Sequence, residues 1–182
     1  ATSFIWNFNI MSGKFFKIKS LSGTDVANLN LTSCFNETYN LYEVVTTVKK
    51  SSGSSASNFF QRFIDSGGSV ISASEYNKGY WRYDQYQARE YDTAQTSINV
   101  TALQDADTVV SIRQSVANPY ASDRYTTGYS SRYTYQNIGG NRGRVFLGLA
   151  GLKNVQRITG IQTASSTGNI DVNIAVYGFG ES

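Results

Sequence analysis

The run Tyr42-Glu-Val-Val-Thr-Thr-Val-Lys-Lys50 decides how the chain is read. In an extended chain successive side chains point to opposite faces, so Tyr42, Val44, Thr46 and Val48 share one side. Aromatic and β-branched residues suit a pleated, half-buried surface, and Lys49-Lys50 closes the pattern. This is a strand. Upstream, Leu29, Leu31, Ser33 and Phe35 repeat the period of two, and Phe16 and Ile18 alternate with Lys17 and Lys19 to give a strand with one wet face. Phe4, Trp6, Phe8 and Ile10 alternate as well, with Met11-Ser12-Gly13 as the turn that follows.

Downstream, Ser51 to Ser57 is a Ser-rich connection too short to link domains. A strand then runs from Asn58 to Ile64, and Asp65-Ser66-Gly67-Gly68 is the plainest turn in the chain. Val70 to Tyr76 reads as a weaker strand. Ser97 to Leu103 and Thr108 to Gln114 flank the corner Gln104-Asp105-Ala106-Asp107. Arg144 to Leu149, Val155 to Thr163 and Ile170 to Tyr177 are three late strands, the last two joined by a hairpin-like turn at Thr167-Gly168-Asn169. Ala88 to Ser97 comes nearest to a helical pattern, yet no window carries a clean 3.6 period, and less than about one-tenth helix is expected. About ten short strands at this spacing predict an all-β chain: one antiparallel β-sandwich over residues 1–182, jelly-roll-like.

Composition agrees with that reading. Of 182 residues, 13 are Tyr, 10 Phe and 2 Trp, while 16 Gly punctuate the chain and Pro occurs once. The 16 basic and 13 acidic residues leave a net charge of +3, and no basic run exceeds Lys49-Lys50, so no nucleic-acid footprint is indicated. No stretch approaches the 18 apolar residues of a membrane span, and the start shows no basic leader before an apolar core. An Ala1 exposed by removal of an initiator Met is consistent with a complete cytosolic product, and equally with a trimmed fragment. Cys34, the sole cysteine, has no intrachain partner and reads as a small buried residue.

The chemistry is sparse. The chain has no His, which removes the commonest general base and metal ligand together. No cofactor and no metal site are expected. Glu37, Glu43, Asp65, Glu75, Glu90 and Asp92 fall mostly at turns or beside Lys and Arg, which argues against the carboxylate pair of a glycosidase. Asp105 and Asp107 lack the closing Gly and Glu of an EF-hand. Gly139-Gly140-Asn141-Arg142-Gly143-Arg144 leads into a strand and lacks the Lys-Ser/Thr of a phosphate loop. Three Asn-x-Thr sequons, at Asn30, Asn36 and Asn99, are at chance level in so Asn- and Thr-rich a chain.

Two segments stand out, Tyr76 to Tyr91 and Tyr120 to Tyr135. Both interleave Tyr with Arg, Ser, Gly and Asp, the mixture of rigid amphipathic area and adaptable hydrogen bonding found on recognition surfaces. The candidate contact residues are Tyr80, Trp81, Arg82, Tyr83, Tyr86 and Arg89 in the first, and Tyr125, Tyr129, Arg132 and Tyr133 in the second. The competing reading is that these rings line the sandwich.

The C-terminal run from Gly151 to Phe179 resembles the ending of a group of tailed-bacteriophage virion proteins. Ile158-x-x-Ile161-Gln162 matches its strand pattern, Ser166-Thr167-Gly168-Asn169-Ile170 its turn, and Tyr177-Gly178 its final strand. Asn36 to Val48, Asn58 to Ser69 and Tyr76 are similar to further segments of the group, in order. The resemblance implies a β-sandwich of tail-fibre, tail-appendage or capsid-surface proteins, and it carries over no catalytic residue. Fibre proteins of the group usually carry a separate N-terminal shaft or anchor, whereas here a strand begins by Ser3. That fits a capsid decoration, a short appendage or a fibre tip. The expected function is therefore a non-enzymatic structural protein on the virion surface, made in the host cytoplasm. Its expected partners are further copies of itself, as a homotrimer by family analogy, and other virion proteins. The alternative is a lectin-like receptor-binding tip that recognises a host-surface glycan. Neither nucleic acid nor membrane insertion enters.

Overall fold

The computed structural model describes residues 13–51, 57–83, 88–103, 109–136 and 142–181. The strand expected at Phe4 to Ile10 and the corner holding Asp105 and Asp107 lie outside them. Twelve strands occur among the described residues: β1 (Gly13–Val26), β2 (Asn28–Leu31), β3 (Leu41–Lys50), β4 (Ser57–Asp65), β5 (Tyr76–Tyr83), β6 (Ala88–Gln95), β7 (Asn99–Leu103), β8 (Val109–Ala117), β9 (Thr127–Gln136), β10 (Arg142–Leu152), β11 (Ile158–Ser165) and β12 (Ile170–Glu181). They form an eight-stranded sheet, β1-β12-β3-β8-β9-β10-β5-β6, and a four-stranded sheet, β2-β11-β4-β7. Every pairing is antiparallel.

The topology becomes plain when two hairpins are set aside. Without β5–β6 and β9–β10, the remaining sheets are β1-β12-β3-β8 and β2-β11-β4-β7. That is the strand order of a jelly roll, in which consecutive strands alternate between two sheets except at the paired β4 and β7. The two hairpins are insertions, and both add to the same edge of the larger sheet, beyond β8. They form a wing that carries the two Tyr-rich segments.

The core lies between the sheets. From the larger sheet come Tyr42, Val44, Val48, Val110, Ile112, Val116, Ile174 and Val176; from the smaller come Leu31, Phe59, Phe63 and Ile161, all fully buried or nearly so. Gln61 is a polar pin across this interior. Its Nε2 donates to Thr46 Oγ1 in the opposite sheet (2.9 Å) and to Thr163 Oγ1 beside it (3.3 Å). A buried amide left unpaired would be costly, so these bonds fix the register of one sheet over the other.

Three local expectations change. Val70 to Tyr76 is not a strand: only the bridge Ile64↔Val70 forms, and Tyr76 opens β5. The segment is held instead by the buried Tyr76 hydroxyl, which accepts from Phe63 N (2.9 Å) and donates to Ile71 O (3.0 Å). The strand expected from Leu29 to Phe35 stops at Leu31, because Ser33 adopts φ 51°. Phe35 keeps its core position through edge contacts with Tyr42 and Phe63. Thr167-Gly168-Asn169 joins β11 to β12, which lie in different sheets, so it is a crossover and not a hairpin. Gly168 takes φ 71°, where a side chain would be strained. Ala88 to Gln95, the segment nearest a helical pattern, is strand β6.

Cys34 is wholly buried, donating to Leu31 O at 3.4 Å. Burial pushes its thiol pKa from 9.0 up to about 12, with Lys19 opposing. The fold thus favours the protonated thiol, so this contribution to stability is complete below pH 9 and is lost as pH rises from there toward 12. A disulfide reagent at pH 8 should label the folded chain only at the rate of its opening. Prompt stoichiometric labelling under native conditions would contradict this burial.

Candidate functional site

The register fixes which side chains share the face of the large sheet turned away from the core. One row crosses all eight strands: Lys17, Tyr177, Glu43, Ser115, Tyr129, Leu149, Gly79 and Tyr91. A parallel row runs Val45, Arg113, Ser131, Leu147 and Trp81. Another runs Phe15, Phe179, Leu41, Ala117, Thr127, Gly151 and Asn77.

This outer face is unusually apolar. Nine exposed large apolar residues lie on it among the described residues: Phe15, Leu41, Trp81, Tyr91, Val109, Tyr129, Val145, Leu149 and Phe179. Leu149 is 65% exposed and Tyr91 73%. At 150–250 Å² for a whole aromatic side chain, the nine leave on the order of 800 Å² open, about one partner's share of a standard protein interface. Scattered exposed apolar residues are ordinary, but Leu41, Tyr129, Leu149, Trp81 and Tyr91 fall at neighbouring register positions, and a cluster of that kind marks a contact surface.

On the wing the patch has relief. Gly79 and Gly151 put no side chain on their rows, which leaves shallow troughs around the projecting Leu149. One, of about 380 Å³, is lined by Trp81, Tyr129, Leu147 and Leu149. The next, of about 300 Å³, lies among Tyr91, Leu149, Asn77 and Thr127. A third, of about 220 Å³, reaches Leu41 along β8 and β9. Their walls are nearly all apolar; the Asn77 Oδ1, buried without a hydrogen-bond partner, is an exception.

The sequence candidates divide. Trp81 and Tyr129 stand on the outer face of β5 and β9, and the structure brings them to one trough. Tyr80 belongs to β5 but points to the other face, tilted against Phe146 at 6.1 Å. Tyr125 is 56% exposed in the turn before β9. Arg82 and Tyr83 are carried by β5, Arg89 by β6, and Arg132 and Tyr133 by β9, while Tyr86 lies outside the described residues. Both Tyr-rich segments are thus strands of one wing, adjacent through the β10 register.

The chain matches no protein-family model and no curated protein. Among solved structures, the CBM2 module of the evolved Dit of Lactobacillus casei BL23 phage J-1 aligns with 85% of this chain and 69% of its own. The TM-score is 0.21 and the identity 9%, too slight a likeness for fold or function to be carried across.

Sequence reasoning missed Leu149, Tyr91 and Leu41 as surface residues. Leu149 sits in an ordinary alternating strand, and nothing in its neighbours tells which face is exposed. Of the acidic candidates, Glu43 is ion-paired to Arg113 and accepts from Ser115 Oγ at 3.0 Å. Asp65 accepts from Gly67 N and Ser69 N inside its own turn, and Glu75 accepts from Gln156 Nε2. These three carboxylates have local structural partners.

Proposed function

We propose that this is a non-enzymatic structural protein of a tailed-phage virion, displayed as a capsid decoration or tail appendage. It is held by protein–protein contacts made through the outer face of the wing. The observation that carries the reading is the apolar patch centred on Leu149, Trp81, Tyr129 and Tyr91, which share adjoining troughs. The C-terminal sequence resemblance supports the phage setting. The jelly-roll order, shared by capsid and lectin domains, is an associational support.

Partners of this patch are further copies of the chain or a neighbouring virion subunit. A homotrimer is the arrangement that the resemblance suggests. The lectin-like reading gains little from the wing: Trp81 and Tyr91 offer rings, but the trough walls hold few groups to bind sugar hydroxyls. Sedimentation at micromolar concentration should show a discrete oligomer, or else the isolated chain should bind purified particles lacking it. A monomer that does neither counts against the proposal.

A further inference from the structure

A second, chemically different concavity lies at one end of the jelly roll, lined by none of the residues that line the wing troughs. It is formed where the β2–β3 connection meets the β8–β9 connection, and its volume is about 260 Å³. We propose that this cleft binds a single neutral sugar ring of the pyranose type. The inference goes beyond the assembly role and does not depend on it.

The walls are fixed before any ligand arrives. Asn118 N donates to Asn40 O at 2.7 Å, tying one connection to the other. The buried Tyr42 hydroxyl donates to Asn36 O (2.7 Å) and accepts from Asn36 N (2.9 Å). Thr38 N occupies Asn36 Oδ1 at 2.9 Å, which leaves the Asn36 side-chain NH2 as a donor. Below the second connection, Ile158 N donates to Pro119 O at 2.7 Å and Arg157 Nε to Tyr120 O at 3.3 Å. Asn118 holds φ 54°, a left-handed conformation that Asn tolerates and that sets its amide at the cleft.

The lining chemistry is what a polyol needs. Three amides, Asn36, Asn40 and Asn118, offer donors and acceptors together, and the Asn40 and Asn118 side chains make no hydrogen bond to any described residue. The Glu37 carboxylate adds acceptors for hydroxyl donors, and the Tyr120 ring adds an apolar surface for a sugar's C–H face. The Arg157 guanidinium stands over that ring at 4.7 Å and holds it in place. Arg124 is matched by Asp123 through two contacts of 3.1 Å, and the Glu37 carboxylate is balanced in sign by the Arg157 guanidinium on Tyr120, so the charges named here sum to zero. A neutral sugar fits that balance. The volume is just below the roughly 300 Å³ at which drug-sized pockets begin, which limits the ligand to one ring.

The test is a nitrogen-15 NMR titration of the whole chain with glucose, galactose, mannose, rhamnose and N-acetylglucosamine, each taken to tens of millimolar. At least one should give saturable shifts at residues 36–40 and 118–124. Asn40→Ala should weaken that binding at least tenfold. Asn118→Gly should do the same while keeping the left-handed backbone, and both should leave sedimentation unchanged. The inference is overturned if no sugar gives saturable shifts, if the shifts map to Trp81 and Tyr91, or if both variants bind as the parent does.

Discussion

Gly160→Ala is expected to lower folding stability by about 3 kcal/mol, at the upper end of overpacking, and the melting temperature by about 10 °C. A Cβ at this position would stand 2.6 Å from Leu31 O and 3.0 Å from Thr32 Cα. Both are backbone atoms, so no rotamer change relieves the contact. The connection after β2 must move off β11, and with it the bonds from Cys34 N and Phe35 N to Thr159 O. Displacing that connection pulls Phe35 from its packing against Tyr42 and Phe63. Gly151→Ala is the matched comparison. Its Cβ would meet nothing nearer than 3.4 Å on the outer face, so its cost should be close to zero. Thermal unfolding of the two variants checks the pair; equal melting temperatures would refute the close approach of the β2 end to β11.

The second large effect belongs to the wing. Trp81→Ala should weaken assembly by about 2 kcal/mol or more, roughly thirtyfold in Kd, as expected for a central aromatic anchor. Trp81 is 38% exposed on the outer face, so the same change should cost less in folding than the roughly 3–5 kcal/mol of a core Trp. Leu149→Asp should weaken assembly still further, because it places a charge at the centre of the patch, while its exposure leaves the fold little to lose. Val155→Asp, on a loop off this face, should leave assembly unchanged. Measuring melting curves and sedimentation on the same preparations separates an interface role from a core role.

The jelly roll was legible where one face of a strand is buried and the other wet. Tyr42 to Val48, Asn58 to Ile64 and Val109 to Gln114 show period two because water and core impose it residue by residue. Ala88 to Gln95 was ambiguous for the opposite reason: it is the edge strand of the wing, paired in its sheet with β5 alone among the described strands. Val70 to Tyr76 reads as strand, yet beyond the Ile64–Val70 bridge and the bond from Ile71 N to Phe63 O, the Tyr76 hydroxyl takes the place of a ladder. Which strands pair is not a local property. Thr167-Gly168-Asn169 has the composition of a hairpin and makes a crossover, since turn chemistry sets a bend and not the partner of the next strand. Composition singled out the two Tyr-rich segments, although Tyr76 is a core residue and Tyr80 turns from the outer face. Their adjacency comes from the β5–β10–β9 register, and the cleft between Asn36 and Asn118 joins loops some 80 residues apart, so neither carries a signal in sequence.

The outer face of the wing as the surface that assembly covers is tested most directly by covalent footprinting. Side chains are labelled by hydroxyl radicals on the isolated chain and on its assembled form, and the sites are read by mass spectrometry. The account predicts strong protection of Trp81, Tyr91, Tyr129 and Leu149 on assembly, with Val155 labelled equally in both states. Equal labelling of those four residues before and after assembly would contradict it.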